Sequence, residues 1–173
     1  APDGKMKMFQ YNVIGSNFKG LPVSNTVNHE SVHFYQLANN LTFPRDLPCW
    51  YGEGQATFYG NVISGTNNVY FERSRILNSL PNSDTWSVQD WQKFLVSIQE
   101  NQDECRKDSR NYSIGSFLWE YLLLNYSEID LHKLLIALKN KSWNEVAPVY
   151  LGKSTTELNI AFATHLTGIF KRK

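Results

Sequence analysis

The chain has 173 residues and a mass of 20.0 kDa, enough for a single domain with a buried core. Its 42% hydrophobic and 14% aromatic content excludes a disordered or low-complexity polymer. The formal net charge is +1 and the basic cluster is confined to Lys171, Arg172 and Lys173, so nucleic-acid binding has no electrostatic footprint.

No run approaches the roughly 18 apolar residues of a membrane span. Cys49 and Cys105 leave two readings open, one disulfide or two buried thiols. The chain starts Ala-Pro-Asp-Gly without an initiator Met, and Asn40, Asn111, Asn125 and Asn140 each open an Asn-x-Ser/Thr sequon. The start fits a processed or an engineered chain, and an Asn-rich sequence yields several sequons by chance; the localisation is left open, with a slight lean to a secreted or periplasmic setting.

Residues 7 to 14 read as a strand, and the Gly- and Pro-bearing stretch from Gly15 to Pro22 as a loop. Ser24, Asn25 or Thr26 then caps a helix reaching about Asn39, with Val27, Val32, Phe34, Tyr35 and Leu37 as its apolar positions. Pro44 and Pro48 mark a connector. A second helix starts near Cys49 or Trp50 and ends near Asn61, and a third spans about Val69 to Leu80. After a turn at Pro81 to Ser83, Ser87 and Asp90 open a helix to about Gln99; residues 100 to 111 are polar and read as a loop. The apolar run from Ser113 to Tyr126 is a further helix. Ser127, Ser142 and Ser154 open three more, the last ending near Gly168. Ser87, Ser127, Ser142 and Ser154 each have an acidic residue three positions on, the pattern of a capping box. The expectation is a helix-dominated α+β domain with at most a small N-terminal sheet. It divides into strand and loop over 1–22, metal-site helices over 24–61 and a helical C-terminal half over 69–170.

The segment Thr26 to Gln36 reads TVNHESVHFYQ. His29 and His33 stand four apart, so on a helix their imidazoles share one face and can bind one tetrahedral zinc. Glu30, next to the first His, can reach a water on the metal and act as its general base. A His on a helix is most often only a packed or solvated side chain. The apolar neighbours on both sides of the pair, however, suit a helix packed on its other face. A catalytic zinc takes a third protein ligand and keeps one position open. Glu53, in the stretch Trp50-Tyr-Gly-Glu-Gly-Gln-Ala, lies 20 residues past His33, room for a connector and a returning helix. Gly52, Gly54 and Ala56 are small and allow that helix to approach the first. As an isolated residue Glu53 reads as a helix N-terminal carboxylate favoured by the dipole; after the His pair, the ligand reading is the better one. Two imidazoles and a carboxylate also suit non-haem iron, but Glu30 has a task in zinc hydrolysis and none in oxygen activation.

His29-Glu30-Ser-Val-His33 followed by Trp50-Tyr-Gly-Glu53-Gly-Gln-Ala resembles the gluzincin superfamily of zinc peptidases, the group of thermolysin and aminopeptidase N. The Trp-x-x-Glu-Gly-x-Ala form is closer to the aminopeptidase-like branch. The likeness is sharp over residues 27 to 59. It continues loosely through Tyr112-Ser-Ile-Gly115 and the helices from Trp143 to Leu166. It implies a zincin arrangement that hydrolyses peptide bonds, with Zn2+ on His29, His33 and Glu53 and Glu30 as base. It also implies a Tyr or His that stabilises the oxyanion; Tyr112 matches best by position, with His132 and His165 as weaker candidates.

Three departures shape this expectation. Thermolysin-like members carry, four residues past the Glu ligand, an Asp that holds a ligand His; here the position is Thr57. The Gly-x-Met-Glu-Asn motif that captures a substrate amine in the aminopeptidases is missing, which favours an endopeptidase. Finally, 28 residues before His29 cannot build the sheet of the relatives. The domain is then minimal, or its sheet belongs to sequence not present in this chain. The alternative from a different class is a catalytically inactive gluzincin-like module acting in binding or assembly. An accidental motif on a helical interaction domain is the third reading.

Overall fold

The computed structural model describes residues 23–38, 49–100 and 108–171. Eight α-helices and one short 3-10 turn account for the regular structure among these residues, and no strand occurs in them. The helix-dominated expectation therefore holds for the described chain. The strand expected at 7 to 14, and with it the small sheet, falls outside the described residues, as does Cys105.

Helix α1 spans Val23–Ala38 and α2 spans Cys49–Ile63. Helix α3 covers Asn68–Ser79, capped by Asn67, whose side chain accepts from the Tyr70 amide. The 3-10 turn at Ser83–Thr85 follows where a turn was expected, and α4 runs over Val88–Glu100. Helix α5 spans Ser109–Asn125, α6 Glu128–Ala137, α7 Trp143–Leu151 and α8 Thr155–Phe170.

Each of the four expected capping serines stands at its helix start. The Asp130 amide donates to Ser127 Oγ at 3.1 Å, and the Asp90 amide to Ser87 Oγ at 3.2 Å. Glu145 and Glu157 accept from the Ser142 and Ser154 amides at 2.8 Å each, closing reciprocal boxes. These contacts satisfy amides that the first helical turn leaves without partners. One boundary differs from the expectation. Helix α5 starts at Ser109, inside the stretch read as a loop, because Asp108 caps it by accepting from the Arg110 amide at 2.9 Å. Its polar first turn hides that start from a search for apolar periodicity.

Helix α5 is the centre of the fold. Nearly every residue from Ser113 to Leu122 is buried, the state of a helix surrounded on all sides. Helix α2 lies against α5 on one side and α1 on the other, α3 also packs on α5, α4 packs on α8, and α6 on α7. Close approach sets this layering. A Cβ on Gly54 would stand 2.2 Å from the Gly115 carbonyl carbon, so α2 and α5 touch backbone to backbone. A Cβ on Gly60 would lie 3.1 Å from the His29 amide nitrogen, on the α1 side. The small residues do admit close packing, but Gly54 serves the contact with α5 and Gly60 the one with α1. The apolar core gathers Trp91 and Leu95 from α4, Phe117, Trp119 and Leu122 from α5, and Phe162, Leu166 and Phe170 from α8. On α1 the inward face carries Asn28, Val32 and Gln36. Val27 and Phe34, read as packing positions, are exposed.

A candidate metal centre between two helices

His29 and His33 sit one turn apart on α1, and Glu53 comes from the first turn and a half of α2, packed beside it. The three form a group whose donor atoms all lie within 4.8 Å of one another, able to hold a metal ion. The closest approaches are tighter. Nε2 of His33 is 3.0 Å from Nε2 of His29 and 3.1 Å from Oε2 of Glu53. Nε2 of His29 is 3.3 Å from the same oxygen. Three donors bound at about 2.0–2.1 Å around a tetrahedral ion stand roughly 3.3–3.4 Å apart. The observed triangle is close to that size and slightly smaller.

The far sides of the imidazoles fix which nitrogens face the triangle. His33 Nδ1 is 2.8 Å from Gln36 Oε1. The Gln36 amide nitrogen donates to the Gly52 carbonyl at 3.2 Å and to Gln55 Oε1 at 2.7 Å, so its oxygen is the atom turned toward His33. The neutral His33 imidazole then carries its proton on Nδ1, which leaves the Nε2 lone pair facing the triangle. Thr57 acts likewise behind His29. Its hydroxyl donates to the Glu53 carbonyl at 2.8 Å, leaving a lone pair 3.4 Å from His29 Nδ1. Thr57, at the position where thermolysin-like members carry an Asp, thus places a neutral oxygen behind His29.

Two bare nitrogens and a carboxylate oxygen at this spacing repel one another unless something positive lies among them. Without metal, that role falls to a proton. Hydrogen bonding to Glu53 raises the pKa of His33, against burial and with the help of Gln36 and the charge of Glu30. Burial pushes Glu53 up, but hydrogen bonds and charge from both imidazoles outweigh it and bring the carboxyl to about 2. With metal, the donor set of two imidazoles and one carboxylate fits a three-ligand site with an open position. Outer partners are already in place behind both imidazoles.

Glu30 is exposed on α1, next to His29, and its charge is felt at His33. Tyr112, on α5, stacks on His29 with ring centroids 5.8 Å apart and an interplanar angle of 29°. Of the five expected site residues, His29, His33 and Glu53 converge, Tyr112 stacks on His29, and Glu30 lies exposed next to His29 on α1. His165 instead packs on the Tyr121 ring at 5.3 Å within the C-terminal half, and His132 lies on α6; neither belongs to the group. Gln36 and Gln55 were not singled out from the sequence. The signal for Gln36 was present: it lies three past His33 and seven past His29, on the ligand face, where an apolar residue would suit simple packing.

No helix among the described residues is long and apolar enough to cross a membrane. No protein-family model, curated protein or solved structure matches the chain.

Proposed function

We propose that His29, His33 and Glu53 hold a zinc ion and that the chain is a gluzincin-type zinc metallopeptidase, an endopeptidase rather than an aminopeptidase. One observation carries the reading: two imidazole Nε2 atoms and a carboxylate oxygen converge at 3.0 to 3.3 Å, each imidazole held from behind. Zinc is favoured over iron on the same donors because Glu30 stands beside them, a carboxylate with work to do in hydrolysis. When bound, zinc supplies Lewis acidity, bringing the pKa of water toward about 7 and polarising a carbonyl.

The protein's own groups do the rest. Glu30, exposed and adjacent to His29, accepts the proton of the attacking water and returns it to the departing amine. Tyr112, stacked on His29, offers its phenol to the oxygen that becomes negative as the carbonyl is attacked. Glu53, whose carboxyl the two imidazoles hold well below the usual carboxylate range, is ionised at neutral pH and available to a metal.

The test is a peptidase assay on zinc-loaded wild type and Glu30→Gln. The expected outcome is equal zinc content, with cleavage lower by about 10²–10⁴-fold in the variant. Equal cleavage by the two proteins would remove Glu30 from the reaction. Zinc bound without cleavage by either would make the domain a metal-holding binding module.

A further inference from the structure

We propose that Gln36 is the positioning residue of this centre, setting the tautomer of His33 and tying the ligand helix α1 to the turn of α2 that carries Glu53; the proposal rests on the reading of His29, His33 and Glu53 as a metal centre. One group here cannot be rearranged. The Gly52 carbonyl can only accept, and it lies 3.2 Å from one end of the Gln36 amide. That end must be the nitrogen. The oxygen therefore faces His33 Nδ1 at 2.8 Å, which must carry the proton. Nε2 is left bare and aimed at His29 and Glu53. The reversed amide would put two oxygens together at Gly52 and force the proton of His33 onto Nε2, into the space a metal needs.

The same amide holds both sides of the site. Gly52 immediately precedes Glu53 and Gln55 follows it by two, and Gln36 reaches both, the latter at 2.7 Å. Gln36 and Gln55 are 4% and 5% exposed, so water does not compete for these bonds. A neutral amide also adds no charge to the centre, whereas a carboxylate in its place would add one.

The full chain labelled with 15N-histidine tests this in mildly alkaline buffer, where neutral imidazoles report their tautomer by NMR. Wild type is expected to show His33 as the Nδ1–H form. Gln36→Leu, checked for folding by circular dichroism, should shift His33 toward Nε2–H and weaken zinc, measured against a chromophoric chelator, by about 10–100-fold. Gln36→Glu keeps an acceptor for Nδ1–H and should restore that tautomer while failing to restore full affinity, because it cannot donate to Gly52. Should Gln36→Leu fail to fold, Gln55→Leu, which removes one partner of the amide, should shift His33 in the same direction by less. A folded Gln36→Leu with the Nδ1–H tautomer and zinc affinity within about twofold of wild type would overturn the proposal. A wild type that binds no zinc would remove the metal reading instead, and the tautomer comparison would still decide whether Gln36 governs His33.

Discussion

The α1–α2 seam and the core around α4, α5 and α8 are buried by different kinds of residue. In the seam the buried side chains are Asn28, Gln36, Glu53, Gln55, Thr57 and Asn61, with Val32 and Ala56 the buried hydrophobics among the described residues. In the core they are Trp91, Leu95, Phe117, Trp119, Leu122, Phe162, Leu166 and Phe170. A buried polar group left without a partner costs about 1–3 kcal/mol, while a satisfied one contributes only about 0.5–1.5. The seam therefore adds little net stability for what it buries. What it secures is direction, because each hydrogen bond fixes where a nitrogen or oxygen points. The polar network extends past the ligands. Asn61 donates to both Asn68 and Glu72 at 2.9 Å, and Asn25 donates to Asn61 at 3.2 Å. Glu72, wholly buried, also accepts from Ser113 and pairs with Arg75 at 3.1 Å. The apolar burial that favours folding is concentrated in the aromatic half, and the candidate metal group sits in the polar seam beside it.

If this division is right, the two halves can be damaged separately. Phe117→Ala, in the core, should cost about 3–5 kcal/mol of unfolding free energy by urea titration, with zinc affinity of the folded protein unchanged. Equal losses of stability and zinc affinity would show the two regions to be one unit.

Zinc itself should stabilise the protein by about 2.7 kcal/mol at a concentration 100 times its dissociation constant. The gain should depend on pH in a definite direction. His33 is raised above 6.5, so the stability its proton brings to the metal-free protein is present below 6.5 and is lost as pH rises through the raised value. Glu53 is lowered from 4.5 to about 2, so its contribution is present above 4.5 and is lost between 4.5 and about 2. The site therefore stabilises the metal-free protein most between 4.5 and 6.5, where zinc must displace the proton of His33. Thermal melts should show the zinc-induced rise in Tm growing as pH increases above 6.5 and His33 gives up its proton. A rise independent of pH would mean that zinc binds elsewhere.

The smallest effect is expected far from the seam. Ser154→Ala removes the side-chain acceptor for the Glu157 amide, at 3.3 Å, and should cost about 1 kcal/mol in the same urea titration, leaving zinc binding untouched.

What the sequence disclosed follows from how local each signal is. Capping serines act within three residues, and all four helix starts they marked are present. The His pair acts within one helical turn, so its shared face followed from spacing alone. Glu53 stands out in the sequence because a zinc site takes a third ligand, and it lies with the His pair in a group that could hold a metal ion. Contacts between helices left weaker traces. Gly54 reads as a small residue, but nothing local says that it meets Gly115 on α5 rather than α1. Thr57 stands where thermolysin-like members carry an Asp, and its place behind His29 depends on how α2 is rotated. Val27 and Phe34 suggested packing positions by type, yet the inward face of α1 runs through Asn28, Val32 and Gln36. Polar residues take the places where apolar ones are normally sought, and their hydrogen bonds hold the donor atoms of the candidate metal group in place.

The most direct measurement is a zinc titration of the purified chain and of Glu53→Ala at neutral pH, with X-ray absorption at the metal edge. The account predicts about one zinc per wild-type chain, coordinated by two imidazole nitrogens and a carboxylate oxygen, and a loss in the variant exceeding the 10–100-fold typical of an outer partner. No zinc on the wild type, or zinc held equally well without Glu53, would contradict it.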